Sequence, residues 1–319
     1  MSNDHQLSIQ QDNTGLLKFK GTLSVTITVI FLIAVDYIIG WQKLLNSWSE
    51  LSIQNFGLAL LFIMLSYLLR AVRIYSYFHM TGLSKFMLCI KATLNHNFLN
   101  NMLPMRSGEL SFPLYLYRYF GIGKLNSVVT LFYFRLLDLH VLFTLGLILS
   151  FFLFPAYKIY SILFFVIWLS VSMIALSFRK FISSNTMNDA RKFSKIIFRI
   201  IKSLPKTNKQ IFESYFWTAS NWLVKLTVFA WIFKQFAIID NFSALVAVIF
   251  GDLTSVLPVH GVAGAGTYEA GILFGMSLFT NNTENILTAA INLHLFILSS
   301  CILGAALAIL IRHKSAKNL

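Results

Sequence analysis

The chain is 319 residues long, 57% hydrophobic and only 12% charged, about half the charged share of a soluble domain. Its 26 Lys and Arg against 12 Asp and Glu give a formal net charge of +14, but no surface of interleaved basic and aromatic residues accompanies that excess, which argues against nucleic acid as a partner. Composition therefore describes a single all-α polytopic membrane domain over residues 1–319. Its two cysteines, Cys89 and Cys301, both in apolar surroundings, suggest neither a disulfide framework nor a metal site.

A span needs about 20 mostly apolar residues. In chain order, 21–41, 52–72, 127–154, 159–178, 214–236 and 286–311 qualify. The polar N-terminus running to Lys20 is no secretory signal. Lys18 and Lys20 place it in the cytoplasm, and Tyr37, Trp41 and Trp48 mark the opposite interface. Arg70, Arg73, Lys85 and Lys91 return the chain to the cytoplasm after the second span, and Arg118 and Lys124 mark the same side again beyond two shorter apolar pieces, 86–103 and 109–122. They predict a re-entrant hairpin entering from the cytoplasm. The loop 179–212 is densely basic, as cytoplasmic loops are, and 191–204 within it has the pattern of an amphipathic helix on the inner leaflet. A second short pair, 243–257 and 268–280, predicts a hairpin entering from outside, and Arg312, Lys314 and Lys317 return the C-terminus to the cytoplasm.

The expected architecture is six full spans plus two re-entrant helical hairpins in an inverted repeat, 21–154 and 159–311, with both termini cytoplasmic. Eight plain spans are the alternative. A weak internal match, Asp138-Leu139-His140 against Asn292-Leu293-His294, favours the repeat. Interrupted segments in corresponding places of two halves are a pointer to a transport site near mid-membrane.

Each short pair carries one motif. The first is Leu103-Pro104-Met105-Arg106-Ser107-Gly108-Glu109. The second is Leu257-Pro258-Val259-His260, followed by Gly261, Gly264, Gly266, Thr267, Tyr268 and Glu269. Pro104, Gly108, Pro258, Gly264 and Gly266 shape the breaks. The glycine order does not fit a phosphate loop, and no cofactor is expected. Glu109 and Glu269 follow those breaks, where a carboxylate either caps the next helix or binds a proton or cation. Arg106 and His260 precede them. An arginine there meets phosphate bidentately or pairs with Glu109, and a histidine titrates near neutrality or is plain structure.

Arg135 and Asp138 stand at i, i+3 inside a long apolar span, either neutralising each other or facing a head group. Asp252 invites the same two readings. Asn100 and Asn101, with Asn95 and Asn97 just before them, either hold helices together or line a polar groove.

Asn100 through Glu109, Arg135-x-x-Asp138, Leu257-Pro258 with Gly264-x-Gly266-Thr267-Tyr268-Glu269-Ala270, and Leu69-Arg70-Ala71-Val72-Arg73 resemble the lysylphosphatidylglycerol synthase transmembrane-region family, over about residues 20–311. Phe134, Ile74 and the trio Val259, His260 and Thr267 depart from the pattern common in that family. The resemblance implies lipid-linked substrates, since the family includes flippase domains for aminoacylated phosphatidylglycerol and proteins linked to dolichol-sugar transfer. No segment resembles the soluble aminoacyl-transfer domain, so lysyl transfer is not expected.

Three functions fit. The first is an inner-membrane flippase or translocator for an anionic or glycosylated lipid head group. The second is a glycosyltransferase-like membrane enzyme, which the missing Asp-x-Asp metal site disfavours. The third is an accessory subunit of envelope-lipid enzymes. Membrane lipids are the expected partners, with self-association or envelope-lipid enzymes compatible with each function.

Overall fold

The computed structural model describes residues 22, 25–49, 51–170, 203–205, 207–254, 261–280 and 282–312. Most of the basic loop 179–212, the amphipathic stretch 191–204, Pro258 and His260 lie outside them. Every element among the described residues is helical: α1 (Val25–Ile38), α2 (Trp41–Ser49), α3 (Ile53–Tyr77), α4 (Leu83–Met102), α5 (Ser111–Phe120), α6 (Lys124–Leu153), α7 (Pro155–Ser170), α8 (Asn208–Phe236), α9 (Asn241–Thr254), α10 (Thr267–Met276) and α11 (Thr283–Leu310). Short 3-10 segments occupy Pro104–Leu110 and Val262–Gly264.

Among the described residues, α3, α6 and α11 are long and apolar enough to cross a membrane. The count rises to five if the bent pairs α1–α2 (76°) and α8–α9 (113°) are each one span. The apolar stretches expected at 52–72, 127–154 and 286–311 thus appear as helices of 25, 30 and 28 residues. The stretch 21–41 is instead broken at Gly40, whose φ of 82° ends the α-helix while its N–H bonds back to the Val35 carbonyl at 3.1 Å. The helix α9 starts cleanly because Asp240 Oδ1 accepts the amides of Phe242 and Ser243 at 2.8 and 3.0 Å. The Ser243 hydroxyl, then its amide, hold the exposed Asp240 carboxyl below its ordinary pKa.

The helices sort into two compact units by packing, a division that does not bear on internal repetition. The first comprises residues 1–64, 94–111 and 226–307; the second comprises 65–93, 112–225 and 308–319. In the first unit, α9 and α10 form a closely packed hairpin. A Cβ on Gly271 would lie 2.5 Å from Thr254 Cγ2 and 2.7 Å from the Phe250 carbonyl oxygen, and one on Gly275 would lie 3.0 Å from the Phe250 ring. Gly271 and Gly275 have the small-residue spacing that lets membrane helices approach backbone to backbone. The segment Pro104–Leu110 doubles back just as tightly, since a Cβ on Gly108 would overlap the Leu99 carbonyl. His96 Nδ1 and Ser111 Oγ, 2.9 Å apart, brace this reversal. Elsewhere in the unit Val35, Ile39, Leu44 and Ile291 join α1, α2 and α11 in one apolar cluster.

The core of the second unit gathers Ala71, Ile74 and Tyr77 from α3, Cys89 from α4, Phe112 and Leu116 from α5, and Phe134 from α6. Ile74 and Phe134, two of the positions that depart from the family pattern, are therefore packing residues here.

Substituting Gly271→Ala or Gly108→Ala is expected to lower the thermal unfolding midpoint in detergent, because each overpacks a backbone contact at a cost of about 1–3 kcal/mol. Gly57→Ala, with nothing within 4 Å of the added carbon, should leave the midpoint unchanged or raise it slightly. Equal midpoints for all three variants would contradict the close approach.

Candidate functional site

The second break is held by a closed ring of polar contacts in the first unit. Gly266, at φ 85°, caps α10, and Glu269 at the third helical position accepts the Gly266 N–H through Oε2 at 2.8 Å. This is the reaching-back half of a capping box. The other carboxylate oxygen, Oε1, lies 2.6 Å from Nδ1 of His294 on α11, and His294 Nε2 lies 2.8 Å from the carbonyl oxygen of Ala263. Ala263 is a non-glycine residue at φ 57° and ψ 16°, a conformation costing about 1–3 kcal/mol unless the surroundings enforce it. Thr28 of α1 supplies a further brace, its Oγ1 accepting the Val262 amide at 2.6 Å.

The protonation pattern follows from donor and acceptor capacity. A carbonyl only accepts, so His294 Nε2 carries a hydrogen. One further proton then lies between Nδ1 and Glu269, giving either imidazolium with carboxylate or imidazole with carboxylic acid. Glu269 is 1% exposed and His294 8%, so this proton is screened from bulk water. The Tyr268 ring stands 5.0 Å from the His294 ring, and its buried hydroxyl finds no partner among the described residues. Asp252 is buried in the same unit and acts electrostatically on Tyr268 together with Glu269.

The first break belongs to the same unit, and its segment Pro104–Leu110 contacts Val262–Gly264 of the second break. Two short segments remote in sequence, 104–110 and 262–264, are thus brought together. Glu109 sits inside the 3-10 segment, two residues before α5 begins, and not in the first turn of α5 as Glu269 does in α10. Asn101 is used structurally, its Nδ2 donating to the Asn97 carbonyl at 2.8 Å. The Asn100 amide oxygen is buried and finds no partner among the described residues. The side chain of Arg106 is not among those described.

Arg135 and Asp138 lie in the second unit and form its own ionisable centre. The i, i+3 contact exists, with Arg135 Nη1 to Asp138 Oδ2 at 3.6 Å, but Asp138 is held more closely by Arg73, whose Nη1 is 2.8 Å from Oδ1. Arg73 Nη1 also donates to Thr218 Oγ1 at 2.8 Å, and Trp222 Nε1 donates to Asp138 Oδ1 at 3.1 Å. The Arg73 guanidinium lies 4.2 Å over the Phe134 ring, so the apolar replacement at 134 offers its negative face to a cation. Nearby, Asn221 Oδ1 accepts from Ser66 Oγ at 2.7 Å and Arg70 Nε at 3.2 Å.

Arg70 and Arg73 read from the sequence as cytoplasmic boundary residues. The structure carries α3 on to Tyr77 and buries Arg73 to 7% exposure. The signal for them was their i, i+3 spacing within an apolar stretch. His294 was visible as half of the Asp138–Asn292 motif match, without a role. Asn292 of that motif also proves structural, bonding Trp48 Nε1 at 2.8 Å and Ser47 Oγ at 2.7 Å.

An all-helical, multi-pass membrane protein with buried ionisable centres on its helices is the class these features define. A family model described as the lysylphosphatidylglycerol synthase TM region matches residues 21–304, and the chain belongs to that family, one of membrane proteins that act on lipids. Comparison with curated proteins and with solved structures found no match.

Two substitutions probe these centres. Glu269→Gln preserves both contacts, its oxygen accepting from Gly266 and its amide donating to Nδ1, so the unfolding midpoint should move little. Glu269→Ala removes both and should cost about 1–3 kcal/mol. The comparison is a pair of thermal melts, and equal melts for the two variants would exclude the ring. Asp138→Asn leaves Arg73 buried beside a neutral partner and should destabilise by about 3–5 kcal/mol. An Arg73→Gln/Asp138→Asn double variant should be markedly more stable than the sum of the single losses.

Proposed function

We propose that the protein is a lipid flippase or translocator of the cell envelope, passing an anionic or glycosylated head group across the membrane while the acyl chains stay in lipid. In this proposal the two breaks are the tips of re-entrant hairpins from opposite sides of an inverted repeat. The protein then sits in the inner membrane with both termini in the cytoplasm. Arg106, Arg135 and His260 meet the head group, and Glu269 with His294 carries the coupling proton.

The observation that supports this most is the contact between the segments Pro104–Leu110 and Val262–Gly264. Two helix interruptions that pack against each other gather free backbone groups and ionisable side chains in one place, as transporter sites do. A proton confined between Glu269 and His294, 2.6 Å apart, suits secondary coupling: gaining or losing it changes the charge beside a strained backbone break.

The test is reconstitution of the full chain in vesicles with labelled lipids and measurement of leaflet exchange under imposed pH gradients. Exchange is expected to respond to the gradient and to fall at least tenfold in Glu269→Gln, with the melting behaviour preserved. Gradient-independent exchange that survives this substitution would remove the proton from the mechanism. Absence of exchange for every lipid tested would remove translocation itself.

A further inference from the structure

The helix α1 meets the second break and α11 along one stripe. Thr28, Phe31, Val35 and Ile39 follow each other at the i, i+3 and i+4 spacing of a single helix face. At the break, Thr28 Oγ1 accepts the Val262 amide at 2.6 Å. Glycines stand on either side of that contact. A Cβ on Gly261 would lie 2.9 Å from Thr28 Oγ1, and one on Gly266 would lie 3.6 Å from the Phe31 ring. Further along α1, Val35 and Ile39 pack with Ile291 of α11. The opposite face, with Val29, Ile30, Ile33 and Tyr37, is exposed. The described packing of α1 within its unit is therefore one-sided.

Beyond the bend at Gly40, α2 seats on the same helix α11. Leu44 is fully buried in the cluster with Ile291. Asn292 accepts from Trp48 Nε1 at 2.8 Å and donates to Ser47 Oγ at 2.7 Å. Lys43 Nζ lies 2.6 Å from Glu284 Oε1, and these two side chains are 57% and 51% exposed. An exposed ion pair is weak and screened by salt, and water can replace polar contacts of this kind. The seat is thus built to be left and regained. Gly40, at φ 82°, has nothing within 4 Å of an added Cβ, and an uncrowded residue at an element end is where hinges absorb a change of backbone angle. Asn292 holds α2, and His294, two residues on, holds the break. The seat and the break are therefore fixed to one stretch of α11.

We propose that α1 and α2 form a strap over the second break. Seated on α11 through Lys43, Leu44, Ser47 and Trp48, the strap holds Thr28 on the Val262 amide, and its release frees that amide. The strap goes beyond the translocator reading and does not depend on it. Under that reading, its release is the step that opens the second break.

The experiment is amide hydrogen exchange of the purified full chain in detergent, resolved to Val262 and Gly266. Thr28→Val removes the acceptor and keeps the shape, so exchange at Val262 should rise at least tenfold, about the effect of losing one hydrogen bond. Thr28→Ser should restore slow exchange. The Lys43→Glu/Ser47→Ala variant alters α2 alone, setting two acids against each other and removing one partner of Asn292. It should speed exchange at Val262 at least threefold. A short bismaleimide joining the introduced thiols of Lys43→Cys/Glu284→Cys should slow Val262 below the wild-type rate, the native Cys89 and Cys301 being buried. The Gly266 amide, held by Glu269, is the internal reference, because general loosening of the fold would speed both amides equally. Wild-type exchange at Val262 in the α2 variant or in the linked protein, or equal acceleration at Val262 and Gly266, would overturn the strap. The measurement involves no movement of lipid, so failure of the strap and failure of the translocator role are separate results.

Discussion

A helix that stops within an apolar environment exposes amides and carbonyls that water does not reach, and the chain must satisfy them itself. The second break meets this constraint with three side chains, Thr28 taking the Val262 amide and a bonded pair doing the rest. Glu269 takes the Gly266 amide, His294 faces the Ala263 carbonyl, and the two side chains bond to each other. The strained Ala263 conformation is enforced by this ring, so backbone geometry and the protonation of a single pair are coupled. A helix cap alone needs only the carboxylate; the histidine adds the link to the Ala263 carbonyl on the far side of the break.

The second unit solves a different problem with similar economy. Asp138 pairs closely with Arg73 and more distantly with Arg135, and Phe134 shelters Arg73 with a π face. A buried ion pair of this kind contributes little net stability against an apolar equivalent, although removing one partner is expensive.

Much of the architecture was legible in the sequence because apolar length is a direct signal: α3, α6 and α11 fall where the long stretches predicted them. The break at Pro104–Leu110 was legible because Pro and Gly act locally. What hydropathy does not encode is which residue closes a contact through space. Gly40 divides α1 from α2 through a positive φ that composition does not reveal. Arg73 looked like an interfacial charge because basic residues usually mark the cytoplasmic end of a span. Its capture by Asp138, 65 positions away, is a tertiary event. Likewise the role of Gly271 and Gly275 emerges only with Phe250 packed against them.

The close backbone packing also determines where polar capacity is left over. Glycine contacts in the α9–α10 hairpin leave no room for a ligand between those two helices. The first unit buries Glu269, Asp252, the Tyr268 hydroxyl and the Asn100 amide oxygen, and the second buries Arg73, Asp138 and Asn221. In each unit the buried ionisable groups meet partners on other helices of the same unit, Glu269 with His294 and Asp138 with Arg73, so the cost of placing charge in an apolar surround is offset locally.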